Sequence, residues 1–177
     1  IRDLGGVYMG VGTDQNFMMA AWARSEVLVL LDFDQAIVDL HGAYEVAFAL
    51  ADTPDEFLEL WSSEGVSRLE AAIVERYPDP EVRAPMETAL RSARRTVRSR
   101  LSGVHRQYQR LDIPSFLSDQ ADYDWIRGLW RDGRVFPIRG DLTADVTMQD
   151  LAAAVRTSGM TLQVMYISNC EQYFDYE

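Results

Sequence analysis

The chain has 177 residues, a formal net charge of −11 and 47% hydrophobic residues, a composition typical of one globular domain with a sizeable core. The negative charge argues against nonspecific binding to nucleic acid or to an anionic membrane surface, and no run of 18 apolar residues predicts a membrane span. All 17 basic residues are arginine, which excludes a lysine Schiff base, a pyridoxal-phosphate lysine and a Walker-type phosphate loop.

A glycine-rich turn follows the first apolar run of the chain. Gly10 and Gly12 allow the backbone to bend sharply and to approach a ligand. Thr13 or Asp14 can cap the helix that begins near Phe17. This is the pattern of a strand that turns into a helix at a ligand site.

The second apolar run, residues 27–31, ends in Asp32, about 20 residues beyond the turn. Strand, Gly-x-Gly turn, helix and a strand ending in an acid are typical of the nucleotide-binding half of a doubly wound sheet, in which the carboxylate accepts hydrogen bonds from ribose. The third glycine of a dinucleotide fingerprint is missing after Gly12, which disfavours NAD and favours S-adenosylmethionine. The alternative is a tight structural turn, with Asp34 only capping the next helix.

The few histidines and the one cysteine give no metal site. Cys170 allows no intrachain disulfide, and with two histidines the chain has too few ligands for structural zinc. His41 lies on an apolar helical face with Tyr44 and Phe48, which favours a hydrogen-bonded core residue over a catalytic base. We expect a cytoplasmic protein; since the chain begins at Ile1, a leader removed earlier stays open.

Residues 51–118 are predicted to form a helical insertion between the second and third strands. A capping box at 53–56 starts one helix, which Gly65 interrupts. Residues 66–74 form a second helical pattern, and residues 86–111 give the longest one. Large insertions in α/β folds often cover the ligand site.

Seven arginines and no acid lie in residues 88–111. One interpretation is a helix that binds an anionic ligand or nucleic acid. The favoured interpretation is charge pairing with acids of the preceding helices. Those acids are Asp52, Asp55, Glu56, Glu59, Glu64 and Glu70.

Strand patterns return near the end of the chain. Residues 134–138 are predicted to form a strand, in which Pro137 indicates an edge position, and Asp141 follows it. After a helix at 148–156, capped by Thr147 and closed by a glycine, a fourth strand is predicted at 162–167.

The predicted strand ends converge on one rim. Ligands of open α/β sheets bind beyond the carboxyl ends of the strands. That rule gathers the glycine turn, Asp32, Asp141 and the polar run 169–173. This convergence is the strongest functional argument in the sequence.

Two long motifs carry a family resemblance. Residues 5–16 read GGVYMGVGTDQN and residues 166–173 read YISNCEQY. They resemble the signatures GGVYxGVGx(D/E)QN and YxSNxEQY of an uncharacterised bacterial family with a methyltransferase-like Rossmann core. The resemblance implies one domain over residues 1–177, an α/β fold with a doubly wound, mostly parallel sheet, and the insertion at 51–118 within it.

The resemblance also implies a cofactor, S-adenosylmethionine, and residues to bind it. Similarity to methyltransferases places Gly10 and Gly12 near the methionine part, Asp32 at the ribose and Asp141 near the adenine. Asp14 and Asn169 complete the predicted cofactor-binding set.

The first functional hypothesis is therefore an S-adenosylmethionine-dependent methyltransferase, with Glu171 or Tyr173 as base or acceptor-orienting group. A second is a noncatalytic or regulatory nucleotide-binding module, because the glycine pattern is imperfect and no clear acid–base set is present. A third is a metal-assisted hydrolase that uses Asp32, Asp34, Asp141 and Glu171. The methyl acceptor and the oligomeric state stay open.

Overall fold

A computed structural model describes residues 1–169, which form four strands and seven helices. The strands are β1 (Val7–Val11), β2 (Val27–Asp32), β3 (Val135–Arg139) and β4 (Leu162–Tyr166). The helices are α1 (Gln15–Ala23), α2 (Gln35–Leu50), α3 (Pro54–Leu60), α4 (Val66–Arg76), α5 (Pro80–Arg110), α6 (Gln120–Arg131) and α7 (Thr147–Ser158).

The four strands form one parallel sheet in the order β3-β2-β1-β4. This confirms the predicted α/β fold with a parallel sheet, and it is consistent with a Rossmann-like architecture. Pro137 on β3 pairs in register with Leu30 on β2, and β3 has one neighbouring strand in the described sheet. Strand order reverses at β1, so the crevice between β1 and β4 is the topological switch point.

Helices cover both faces of this sheet. Tyr8, Leu28 and Leu30 face the larger core, which α1 to α6 complete. Val7, Met9 and Val29 face the other way, against α7. Right-handed crossovers require this division, because the chain moves in opposite directions across the sheet before and after β3.

An aromatic cluster joins the helical insertion to the sheet. The ring centroid of Phe17 in α1 lies 5.2 Å from that of Tyr44 and 5.4 Å from that of Phe48, and both pairs are edge to face. Phe48 in turn lies 4.4 Å from the ring of Phe57 in α3. Such contacts add to the hydrophobic burial of each ring, so the insertion shares one core with the sheet.

Helices α3, α4 and α5 fall within the predicted insertion, but α5 begins earlier than expected. The helix begins at Pro80, ahead of the predicted start at residue 86, because a proline at the first helical position has no intrahelical N–H bond to lose. Asp79 caps it by accepting the N–H of Glu81 at 2.9 Å. Pro85 lies inside the helix.

Two predicted caps are confirmed and two are not. Asp34 accepts the N–H of Ala36 at 2.9 Å, and Thr53 accepts that of Glu56 at 3.2 Å. Thr147 instead lies in the first turn of α7, and Asp14 stands at the cap of α1 without a capping side-chain bond. Within residues 1–169, no helix combines the length and apolarity that a membrane crossing needs.

Candidate functional site

The carboxyl ends of β1, β2 and β3 meet at one rim. The N–H of Gly12 donates to the carbonyl of Leu31 at 3.4 Å, and the N–H of Gly140 donates to that of Asp32 at 2.9 Å. Asp141 follows Gly140 directly. The structure therefore brings Gly12, Asp32 and Asp141 together, as the strand pattern predicted.

The two glycines of the turn have different roles. Gly12 has a φ of +94°, a conformation that other residues adopt only with strain. Gly10 is buried, and a side chain there would overlap the amide of Asn16 and the ring of Tyr8. Gly10 thus makes room for a neighbouring side chain, whereas Gly12 shapes the turn itself.

Asn16 fills the space beside Gly10. Its Nδ2 donates to the carbonyl of Val11 at 3.1 Å, and its Oδ1 accepts the hydroxyl of Tyr8 at 2.9 Å. Burial, with a smaller contribution from Tyr166, raises the pKa of Tyr8 far above its usual value. The phenol therefore stays protonated, and its hydrogen bond to Asn16 stabilises the turn.

Asp14 points into the protein, where it pairs with an arginine of α5. Its residue is 4% exposed, and its carboxylate forms a salt bridge with Arg100. The hydroxyls of Tyr44 and Thr13 each donate to its Oδ1 at 3.0 Å. Because both oxygens are used inside the protein, we assign Asp14 to this internal network and not to the rim, against its predicted cofactor contact.

Arg100 ties the insertion to the turn. Its Nη2 donates to the hydroxyl of Thr13 at 2.7 Å, and its Nε donates to Oδ2 of Asp14 at 3.0 Å. Burial alone would lower the pKa of Arg100, but hydrogen bonds and charge from Asp14 outweigh it and raise that pKa. The guanidinium of Arg100 is therefore charged in the folded protein.

Most of the other arginines of α5 do not pair as the sequence suggested, although a hydrogen bond from Ser63 and, to a smaller extent, the charge of Arg98 lower the pKa of Glu64. Among the described residues, no arginine of segment 88–111 forms a salt bridge within 4.0 Å with the six acids of the preceding helices. Arg91 lies 3.9 Å from Glu87 on its own helix, and Arg94 donates to the carbonyl of Ser62 at 3.1 Å. Most of these side chains are exposed, so water solvates their charge.

His41 supports the turn from α2. It is 1% exposed, and its Nε2 lies 3.2 Å from the carbonyl of Gly12. Burial lowers the pKa of His41 to about 4, although the Gly12 carbonyl and Asp14 act in the opposite direction. The ring is therefore neutral at pH 7 and donates from Nε2, which confirms a hydrogen-bonded core histidine.

His41 should make the free energy of unfolding depend on pH. Its pKa is lower in the folded chain than the usual 6.5, so the unfolded chain binds the extra proton. Stability is then fully present above pH 6.5 and falls as the pH drops toward 4. In urea titrations, His41→Gln should reduce the pH dependence in this window by up to one proton; an unchanged slope would contradict the assignment.

Asp32 stands at the end of β2 with its carboxylate half-buried. Its Oδ1 accepts the N–H of Asp34 at 3.0 Å. Burial raises the pKa of Asp32, the N–H of Asp34 lowers it, and the net direction is upward. The side chain is thus oriented at the rim by its own backbone turn.

Phe33, between the two acids, is an exposed aromatic at the rim. It is 64% exposed, and Nε of Arg139 donates to its carbonyl at 3.2 Å. We did not predict a role for it from the sequence. The signal was an aromatic residue beyond the buried run of β2, between Asp32 and Asp34, where no core position is left.

Of the remaining predicted site residues, the structure describes Asp141 and Asn169, and both are exposed. Asp141 is exposed and accepts the N–H and hydroxyl of Thr143 at 2.8 and 2.6 Å, which hold the pKa of its carboxyl below the usual value. Asn169 is exposed just beyond β4. Glu171 and Tyr173 lie outside the described residues.

The described part of the rim offers no group of side chains that could bind a metal ion. Within residues 1–169, no three His, Cys, Asp or Glu side chains are grouped so that they could hold a metal ion. Asp32 and Asp34 bind backbone N–H groups instead.

Comparison with known proteins identifies the family. A family model described as a domain of unknown function, DUF7790, matches residues 1–177. The chain belongs to the DUF7790 family. No curated protein matches it. The family description assigns no activity to DUF7790.

Proposed function

We propose that this DUF7790 protein binds S-adenosylmethionine, or a related nucleoside, at the rim and acts as a methyltransferase. One observation carries the proposal. The left-handed turn at Gly12 follows a central parallel strand and bonds directly to the end of β2, where Asp32 is half-buried. Open parallel sheets bind nucleotides at this position, with an acid for the ribose.

The rim side chains fit the chemistry of an adenosine group. Asp32 offers carboxylate oxygens to the ribose hydroxyls, and the exposed ring of Phe33 offers an apolar face to adenine. Asp141 offers an acceptor for the adenine amino group. Gly12, without a side chain, leaves the backbone of the turn accessible.

The bound cofactor would supply an electrophilic methyl group. The task of the protein is then to hold donor and acceptor in line and to exclude water. The network of Asp14, Arg100 and His41 contributes by fixing the turn. The predicted roles of Glu171 and Tyr173, as base or acceptor-orienting groups, remain part of the proposal.

Calorimetry with S-adenosylmethionine and S-adenosylhomocysteine tests the proposal. We expect saturable heat with both ligands, and competition between them for one site per chain. Adenosine should compete more weakly, since it lacks the amino-acid part. Absence of heat and of any thermal shift at millimolar ligand would overturn the proposal.

A noncatalytic nucleotide-binding module is the second candidate. The observation that favours it is the inward use of Asp14 and Asn16, because two polar residues of the turn serve the fold and not a ligand. Such a module would bind S-adenosylhomocysteine as well as the methyl donor. Single-turnover assays with a panel of methyl acceptors separate the two, since only a methyltransferase converts the donor to S-adenosylhomocysteine.

A further inference from the structure

An open groove runs between the first turns of α2 and the N-terminal half of α5. Its volume is about 760 Å³. Apolar side chains make up most of its walls: Ile37, Leu40, Ala84, Pro85, Ala89 and Ala93. No residue of the rim lines it, although Ala36 at its border is held by the carboxylate of Asp34 at 2.9 Å.

The polar groups of the groove are mainly hydrogen-bond acceptors. Asp39 and Glu81 contribute carboxylates, and no lysine, arginine or histidine is among the lining residues. Asp39 accepts one bond, from Nε2 of Gln35 at 2.7 Å. The hydroxyl of Thr88 donates to the carbonyl of Ala84 at 2.8 Å, and Ser92 contributes the other hydroxyl among the lining residues.

Pro85 adds a further acceptor. Proline has no N–H, so the carbonyl of Glu81, four residues earlier in α5, lacks its regular helical donor. Both residues line the groove. A ligand that supplies N–H donors and a positive charge would complement this edge, and an apolar body would cover the walls.

We propose that this groove binds an apolar molecule that carries a protonated amine. Burial of the alkyl part against Ile37, Ala84 and Pro85, which line the groove and are partly or fully exposed, provides the attraction, and the two carboxylates select the cation. This site goes beyond the proposed rim function, and its test does not depend on whether the rim binds S-adenosylmethionine.

Binding of hexylamine, hexanol and hexanoate to the full chain tests the proposal by NMR titration. Hexylamine should shift the amides of residues 36–40 and 84–93, and it should bind about 2- to 30-fold more tightly than hexanol, because two partly exposed carboxylates contribute modestly. Hexanoate should bind most weakly. The double variant Asp39→Asn, Glu81→Gln should lose the preference for hexylamine over hexanol and keep its hexanol affinity. The control variant Glu70→Gln, at an exposed position of α4, should change neither affinity.

Filling the groove gives an independent check. Ala84→Leu with Ser92→Leu, both at exposed lining positions, should weaken all three probes. Thr96→Leu, exposed on the same helix outside the groove, should not. Equal affinity for hexylamine and hexanoate, or shifts that avoid these residues, would overturn the proposal.

Discussion

Replacing Arg100 with methionine is expected to lower the free energy of unfolding by about 3 kcal/mol, because the buried carboxylate of Asp14 then loses its cation. Asp14 is 4% exposed and cannot turn to solvent without opening the network. The Arg100 side chain is 38% exposed, so water can enter part of the vacated space. Because water has this access, the expected loss of unfolding free energy lies at the lower end of the range for broken buried ion pairs. Urea denaturation measures it.

A matched control lies on the same helix. The side chain of Arg95 is exposed and makes no salt bridge or hydrogen bond within residues 1–169, so Arg95→Met should change stability by less than about 0.5 kcal/mol. Adding Asp14→Asn to Arg100→Met should recover part of the loss, since no buried charge remains. Equal stability of the Arg100 and Arg95 variants would show that the pair is not needed.

Asp32→Asn is expected to weaken S-adenosylmethionine binding about 10- to 150-fold. The change replaces a charged acceptor of the ribose hydroxyls, and hydrogen bonds to a charged group are worth about 1.5–3 kcal/mol. Stability should hardly change, because asparagine keeps the oxygen that accepts the N–H of Asp34. Calorimetry and a melting curve on the same preparation measure both quantities.

Asp34→Asn provides the control for charge at this edge. It removes one negative charge two residues away, and asparagine remains a good N-cap for α2. Its effect on cofactor affinity should be small. If Asp32→Asn destabilised the fold while the affinity stayed the same, Asp32 would be a structural residue and the rim assignment would be wrong.

Local sequence patterns were sufficient for the sheet. The apolar runs predicted the strands, and the glycine or acid after a run marked the carboxyl end of its strand. These signals depend only on residues that are neighbours in the chain. Pro137 indicated an edge strand for the same reason, because its missing N–H affects its own ladder. The positions of Gly12 and Asp32 at one rim follow from the parallel order of β1 and β2.

Long-range pairing was not predictable in the same way. Asp14 and Arg100 are 86 residues apart, and nothing near either residue marks the other. Seven arginines on one segment offered many equivalent partners, and only the docking of α5 on α1 and α2 selects Arg100. The exposure of Phe33 likewise depends on where the strand ends, which shows only in three dimensions.

Hydrogen exchange with and without S-adenosylhomocysteine tests the central claim most directly, because it reports both binding and location. We predict slower exchange in peptides that cover residues 10–14 and 32–34, and no change in α4, far along the chain from the rim. Protection confined to other segments would place the ligand elsewhere. No protection anywhere, at a ligand concentration that saturates known binders of this cofactor, would contradict the assignment of a nucleoside site to the rim.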